Sequence, residues 1–92
     1  MRKLQALHYE YAEDAMERRD PFRPGHLELI EKWHGEGKLA IAGALGDPPT
    51  GGLLGFDVPG TADVEEFVAA DPYVKEGIVT SYRIEPWTVV TP

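Results

Sequence analysis

Two residues that could trade a proton emerge when the chain is read at helical spacing: His26 and Asp71. Advancing about 100° per residue from His26 puts Leu27 at roughly 100°, Leu29 at roughly 300°, Ile30 at roughly 40° and Trp33 at roughly 340°. The apolar stripe of this segment is therefore centred close to the histidine, with Glu28, Glu31, Lys32 and Glu36 on the opposite arc. Asp71 lies four residues after Phe67 and seven after Val64, so a helix through them would carry a carboxylate on its own apolar stripe. A carboxylate hydrogen-bonded to an imidazole orients the ring and favours its protonated form, which suits general acid–base work. The same spacing also fits a packed core histidine and an aspartate that ends a helix before Pro72. Arg23 enters the His26 helix on the preceding turn, where a guanidinium could hold a carboxylate or enolate, or simply be solvated. Tyr9 could donate a phenolic hydrogen bond into the same space, or serve packing alone.

These side chains need elements to position them. Arg2 to Tyr9 alternates in a strand-compatible way and is expected as a first strand. Glu10 to Arg23 lacks a sustained helical stripe and ends in two prolines, so it reads as a long loop with one helical turn, a candidate lid. Pro24 can open a helix that ends near Gly35 or Gly37. Lys38 to Leu45 and Leu53 to Val58 are expected as a hairpin around the Gly46 to Gly52 turn. Thr61 or Asp63 can cap a second helix, with Glu66 completing a capping-box-like pattern, and Asp71-Pro72 stops it. Ile78 to Val90 is β-branched and aromatic, and Pro86 assigns part of it to an edge or a bulge. The order βαββαβ is the ferredoxin-like plan, two helices on one face of a four-stranded antiparallel sheet, an α+β fold. With right-handed crossovers the start of the first helix neighbours the end of the second, which brings His26 and Asp71 to one end of the molecule beside Tyr9.

Composition narrows the function classes. At 92 residues the chain is expected to form one domain, residues 1–92. Nine basic and sixteen acidic residues give a net charge of −7, which repels a phosphate backbone, so no nucleic-acid partner is expected. No stretch approaches the ~20 apolar residues of a membrane helix, so no membrane partner is expected either. The absence of cysteine rules out disulfides and thiolate sites, and with no secretory signal pattern at Met1-Arg2-Lys3-Leu4-Gln5 the expected location is cytoplasmic. His26 and His34 stand about two helical turns apart and cannot share one metal ion. No HxxxH or HExxH pattern occurs, so no metal is expected; His8 with His26 and Asp71 is the one grouping that spacing leaves open. The glycines lack nucleotide-binding spacing, no cofactor is expected, and the lone Ser81 has no nucleophile elbow around it.

Arg23-Pro24-Gly25-His26-Leu27, Gly37-Lys38-Leu39 through Ala42-Gly43, Asp71-Pro72-Tyr73 with Gly77, and Glu85-Pro86-Trp87 occur in this order over nearly the whole chain. In these motifs the sequence resembles the YCII-related (YciI-like) family. The resemblance implies a ferredoxin-like fold of the dimeric α+β barrel type, in which two sheets pack face to face across a homodimer. It also implies an active site built from a His and an Asp, here His26 and Asp71. Similar architectures include a dehydrochlorinase of chlorinated hydroxyhydroquinones and muconolactone isomerases, which points to proton abstraction from a small cyclic substrate without a cofactor. The chain departs from that pattern in Asp20-Pro21-Phe22 and in its short Gly46 to Gly52 turn, both of which reshape the expected pocket.

The expected function is thus a cofactor-independent lyase or isomerase acting on a small molecule, with Asp71 orienting His26, His26 moving the proton and Arg23 and Tyr9 binding the substrate. The alternative is a noncatalytic small-molecule-binding or partner-regulating domain using the same pocket. A homodimer has separate support: a chain this short buries only a little over ~60% of its unfolded surface alone, and its strands carry apolar residues on both faces.

Overall fold

The computed structural model describes residues 1–91. Its sheet is built around β1 (Arg2–Tyr11), which pairs antiparallel on one side with β3 (Gly51–Phe56) and on the other with β4 (Val79–Val89). β2 (Leu39–Leu45) completes the order β2-β3-β1-β4. Between the strands lie α1 (Ala15–Arg18), α2 (Arg23–Gly35), α3 (Thr61–Ala70) and α4 (Pro72–Lys75). This is the expected ferredoxin-like α+β arrangement, with two short helices added to the two long ones.

Alternation along the strands decides what each face meets. Leu7 and Tyr9 of β1, Leu54 and Phe56 of β3 and Leu39 of β2 turn to the helices and join Trp33, Val64, Phe67 and Val68 in the core. Trp33, Phe56 and Phe67 meet edge to face, with ring centroids 5.8, 5.4 and 5.1 Å apart; each such pair adds about 0.5–1.5 kcal/mol beyond its burial. The other face carries Leu4, Ala6 and His8 of β1, opposite Trp87, Glu85 and Arg83 of β4, with Gly55 and Leu53 alongside and Ile41 and Gly43 of β2 beyond them. Among the described residues no helix covers this side.

Several boundaries differ from the sequence reading. β1 continues past Tyr9 to Tyr11, and a register shift at Glu10/Tyr11 lets it follow β4. β3 begins at Gly51 rather than Leu53, because the bare glycines let the strand press against β1: a Cβ on Gly51 would collide with the Tyr9 carbonyl oxygen. The stretch expected as a lid is tied down. Ala15 is buried, the Ala12 N–H donates to the Ile78 carbonyl at 2.8 Å, and the Arg18 guanidinium donates to the Glu76 carbonyl at 2.8 Å. The capping box does not form, since Gly60 occupies the N-cap of α3 in extended conformation without a side-chain cap. Leu27, expected in the apolar stripe of α2, is 42% exposed, while Leu29 and Ile30 are half-buried. Pro86 does lie in an edge strand, as its missing N–H requires.

Candidate active site

The largest departure from the sequence reading determines the site. Asp71 is not part of a helical stripe: it closes α3 and opens α4 with extended backbone angles, φ −77° and ψ 118°. Pro72 imposes this, because the residue before proline is pushed out of the helical region. The extended link turns the carboxylate back as the N-cap of α4, where Oδ1 accepts from the Tyr73 N–H at 3.0 Å. Gly25 brings α2 close to this turn. A Cβ there would lie 3.2 Å from Pro72 Cγ, so the first turn of α2 packs directly on α4.

The result is the expected juxtaposition. His26 Nδ1 lies 2.9 Å from Asp71 Oδ1 and 3.0 Å from Oδ2. A carboxylate only accepts, so Nδ1 carries the proton, and Nε2 is the nitrogen left for the cavity that His26 lines. Asp71 is fully buried and His26 is 6% exposed. Burying a carboxylate costs several kcal/mol, offset here by three donors, the third being the Tyr9 hydroxyl at 2.7 Å from Oδ2. The imidazole also lies flat on the Tyr73 ring, with centroids 3.8 Å apart and planes within 2°. Carboxylate and aromatic face together hold the ring in one orientation.

In front of His26 lies a cavity of about 210 Å³. Tyr9, Tyr11 and Tyr73 supply aromatic walls, Ala42, Ala44 and Gly52 a floor of small residues, and Arg19 and Arg23 the positive charge. Gly52 keeps the floor clear, since a Cβ there would come within 3.3 Å of the Tyr11 hydroxyl. Burial, reinforced by the charge of Asp71 and the hydrogen bond to it, pushes the Tyr9 hydroxyl far above its usual range. Burial also raises Tyr11 and Tyr73, against the opposing charge of Arg19 and Arg23.

Of the residues expected from sequence, His26 and Asp71 meet, Arg23 lines the cavity, and Tyr9 reaches it with its ring while its hydroxyl proton goes to Asp71. His8 does not join them. It sits on the opposite face of the sheet, with Nε2 2.7 Å from Glu85 Oε2, so the grouping of His8 with His26 and Asp71 is not formed. His34 is also remote, its Nδ1 hydrogen-bonded to the Leu39 carbonyl. Among the described residues no three His, Cys, Asp or Glu side chains cluster as a metal site, and no helix is long and apolar enough to cross a membrane. Arg19, Tyr11 and Tyr73 received no role from the sequence. Tyr11 follows Tyr9 by two and so shares its strand face; Arg19 precedes Arg23 by four, a signal hidden by the apparent loop between them.

A helix-backed antiparallel sheet with a buried imidazole–carboxylate pair at one end defines a ferredoxin-like α+β protein. The sequence profile of the YCII-related domain matches residues 4–88. The protein YciI of Escherichia coli is 31% identical over 98 residues, covering 95% of this chain and 98% of its own length. The chain belongs to the YCII-related family. Among solved structures, it is similar to the 5-chloro-2-hydroxyhydroquinone dehydrochlorinase of Burkholderia phenoliruptrix AC1100 in complex with 2,5-dihydroxybenzoquinone, with a TM-score of 0.78 over 92% of this chain and 93% of that one at 22% identity. It also resembles a proposed antibiotic biosynthesis monooxygenase from Bacteroides thetaiotaomicron, with a TM-score of 0.60 over 99% and 92% of the two chains at 17% identity. These two likenesses concern the fold.

Proposed function

We propose that this chain is an enzyme that moves a proton on a small cyclic substrate, a lyase or isomerase that needs no cofactor. The observation that carries the reading is the locked imidazole: Nδ1 bound to a fully buried Asp71, with Nε2 free toward a cavity of about 210 Å³. In the proposed step His26 Nε2 accepts a proton from an acidic C–H or O–H of the substrate, and the electron pair left behind moves into the ring. Either a chloride then leaves with its bonding pair, or the proton returns from Nε2 to a different carbon. Asp71 stabilises the imidazolium between the two events, and Tyr9 and the Tyr73 N–H hold Asp71 in place. Tyr9 is thus read as a positioning residue whose ring shapes the substrate wall. The full chain is read as one domain, cytoplasmic, and working as a homodimer through the helix-free face of its sheet.

The first substrate to try is 5-chloro-2-hydroxyhydroquinone, because the similarly folded dehydrochlorinase acts on it. We expect chloride release by the wild type, loss of it in His26→Gln, and a drop of about 10²- to 10⁴-fold in Asp71→Asn, the size of a general acid–base contribution. Each variant is checked for a native circular dichroism spectrum. Undiminished turnover in folded His26→Gln would sink the assignment of His26. Saturable binding of cyclic acids with no chemical change in any of them would favour the noncatalytic binding module.

A further inference from the structure

Of the five arginines in the chain, Arg2, Arg18 and Arg83 pair with carboxylates, whereas Arg19 and Arg23 form no ion pair among the described residues. Both line the cavity in front of His26. Sixteen acidic residues were available to nine basic ones, so the absence of a partner at these two positions is a local feature of the site. Arg19 shows it most sharply: its Nε is buried without a hydrogen-bond partner, in a structure where buried N–H groups are normally satisfied.

The backbone explains why the two guanidiniums work on one space. Arg19 closes α1, its N–H bonded to the Ala15 carbonyl at 2.9 Å, and its own carbonyl accepts from the N–H groups of Phe22 and Arg23, both at 2.8 Å. That turn places Arg19 and Arg23 four residues apart, the spacing at which like charges on a helix repel. Both fields reach the Tyr11 and Tyr73 hydroxyls across the cavity. An anion between them would relieve the repulsion and pair the two guanidiniums that line the cavity. The space is smaller than the roughly 300–1,000 Å³ of pockets for drug-sized ligands, and its aromatic walls favour a flat ring.

Building on the proton-transfer reading, we propose that Arg19 is the specificity-determining residue of the cavity: its guanidinium holds an ionised oxygen of a small planar ring acid, a phenolate or ring enolate, and Arg23 adds to the same charge from the exposed rim. The planar fork of a guanidinium suits such an oxygen, and its partly buried position gives it the stronger grip of the two.

The test is an absorbance titration of the full chain with 2,5-dihydroxybenzoquinone, whose hydroxyls are vinylogous acids and are ionised at neutral pH, against 2,5-dimethoxybenzoquinone, which has the same ring and no charge. The wild type is expected to bind the acid at least about tenfold more tightly than the ether. Arg19→Gln should weaken the acid by about 10- to 100-fold, the usual effect of losing a charge-assisted hydrogen bond, and should leave the ether within about twofold. Arg19→Lys should restore part of the loss, and Arg23→Gln should cost less than Arg19→Gln. Equal wild-type affinity for acid and ether, no detectable binding of the acid, or an Arg19→Gln variant within about twofold of wild type would overturn the proposal. Equal weakening of both ligands in Arg19→Gln would also overturn it, by showing a purely structural role. His26→Gln should still bind the acid within a few-fold, so loss of turnover there and loss of affinity at Arg19 report separately on the two readings.

Discussion

Tyr9 gives its hydroxyl proton to Asp71 at 2.7 Å, and this bond has a consequence for alkaline stability. Its folded-state pKa is raised above the ordinary 10.0. The stabilisation is therefore complete below pH ~10 and is lost as pH rises toward the folded value, because the unfolded chain releases the proton first. Tyr11 and Tyr73 are raised as well and act in the same direction. Urea unfolding at fixed protein concentration should show stability falling above pH ~10, with the wild-type slope steeper than that of Tyr9→Phe by up to about 1.4 kcal/mol per pH unit, one proton's worth. At neutral pH the variant should lose about 1.5–3 kcal/mol, the range for a hydrogen bond to a charged group. Parallel slopes in the two proteins would remove Tyr9 from the account. His26 was legible in the sequence because helical phase alone put it among Ile30 and Trp33. Asp71 was legible for the wrong reason: its spacing from Val64 and Phe67 suggested a helical stripe, but its burial comes from capping a new helix. Arg19 was not legible, since its place depends on a turn through Asp20-Pro21-Phe22 that carries no periodic pattern.

At the scale of elements, the His26–Asp71 pair depends on the contact between the first turn of α2 and α4. Gly25 permits that contact, with room for little more than a hydrogen beside Pro72. An alanine can be absorbed by a shift of a few tenths of an ångström, whereas the branched side chain of Gly25→Val would wedge the helices apart and draw His26 from Asp71. We expect that variant to lose about 1–3 kcal/mol in thermal unfolding, the usual cost of overpacking, and to lose more activity than folded protein. Native stability and turnover in Gly25→Val would show that this contact does not set the geometry. α4 carries no sequence signal of its own, because four residues are too few to show a period and Asp71-Pro72 reads as the stop of the preceding helix. Asp followed by Pro is equally the start of a helix, with a capping carboxylate and proline in the first turn. The long helices are readable from their apolar stripes, and the strands from alternating, small-residue or β-branched and aromatic runs bounded by glycine and proline turns.

Among the described residues, one face of the sheet is protected by helices and the other is without cover. On the latter Ile41 and Leu45 are 58% and 49% exposed, beside Leu53 and Trp87. Apolar surface gathered on one side of a sheet marks an interaction site, and a second copy packing face to face would bury it twice over. Sedimentation at micromolar concentration is expected to give a species of twice 10.2 kDa, and Ile41→Glu is expected to shift it to the monomer. A wild type that sediments only as monomer would refute the homodimer. The two tryptophans fall on opposite sides of this division: Trp33, 5% exposed, is enclosed by Phe56 and Phe67, while Trp87 lies over Gly55 on the uncovered face. Indole emission shifts to the red when water reaches the ring. Dilution should therefore redden Trp87 alone and unfolding should redden both, so Trp33→Phe yields a fluorescent reporter of association and Trp87→Phe a reporter of the core.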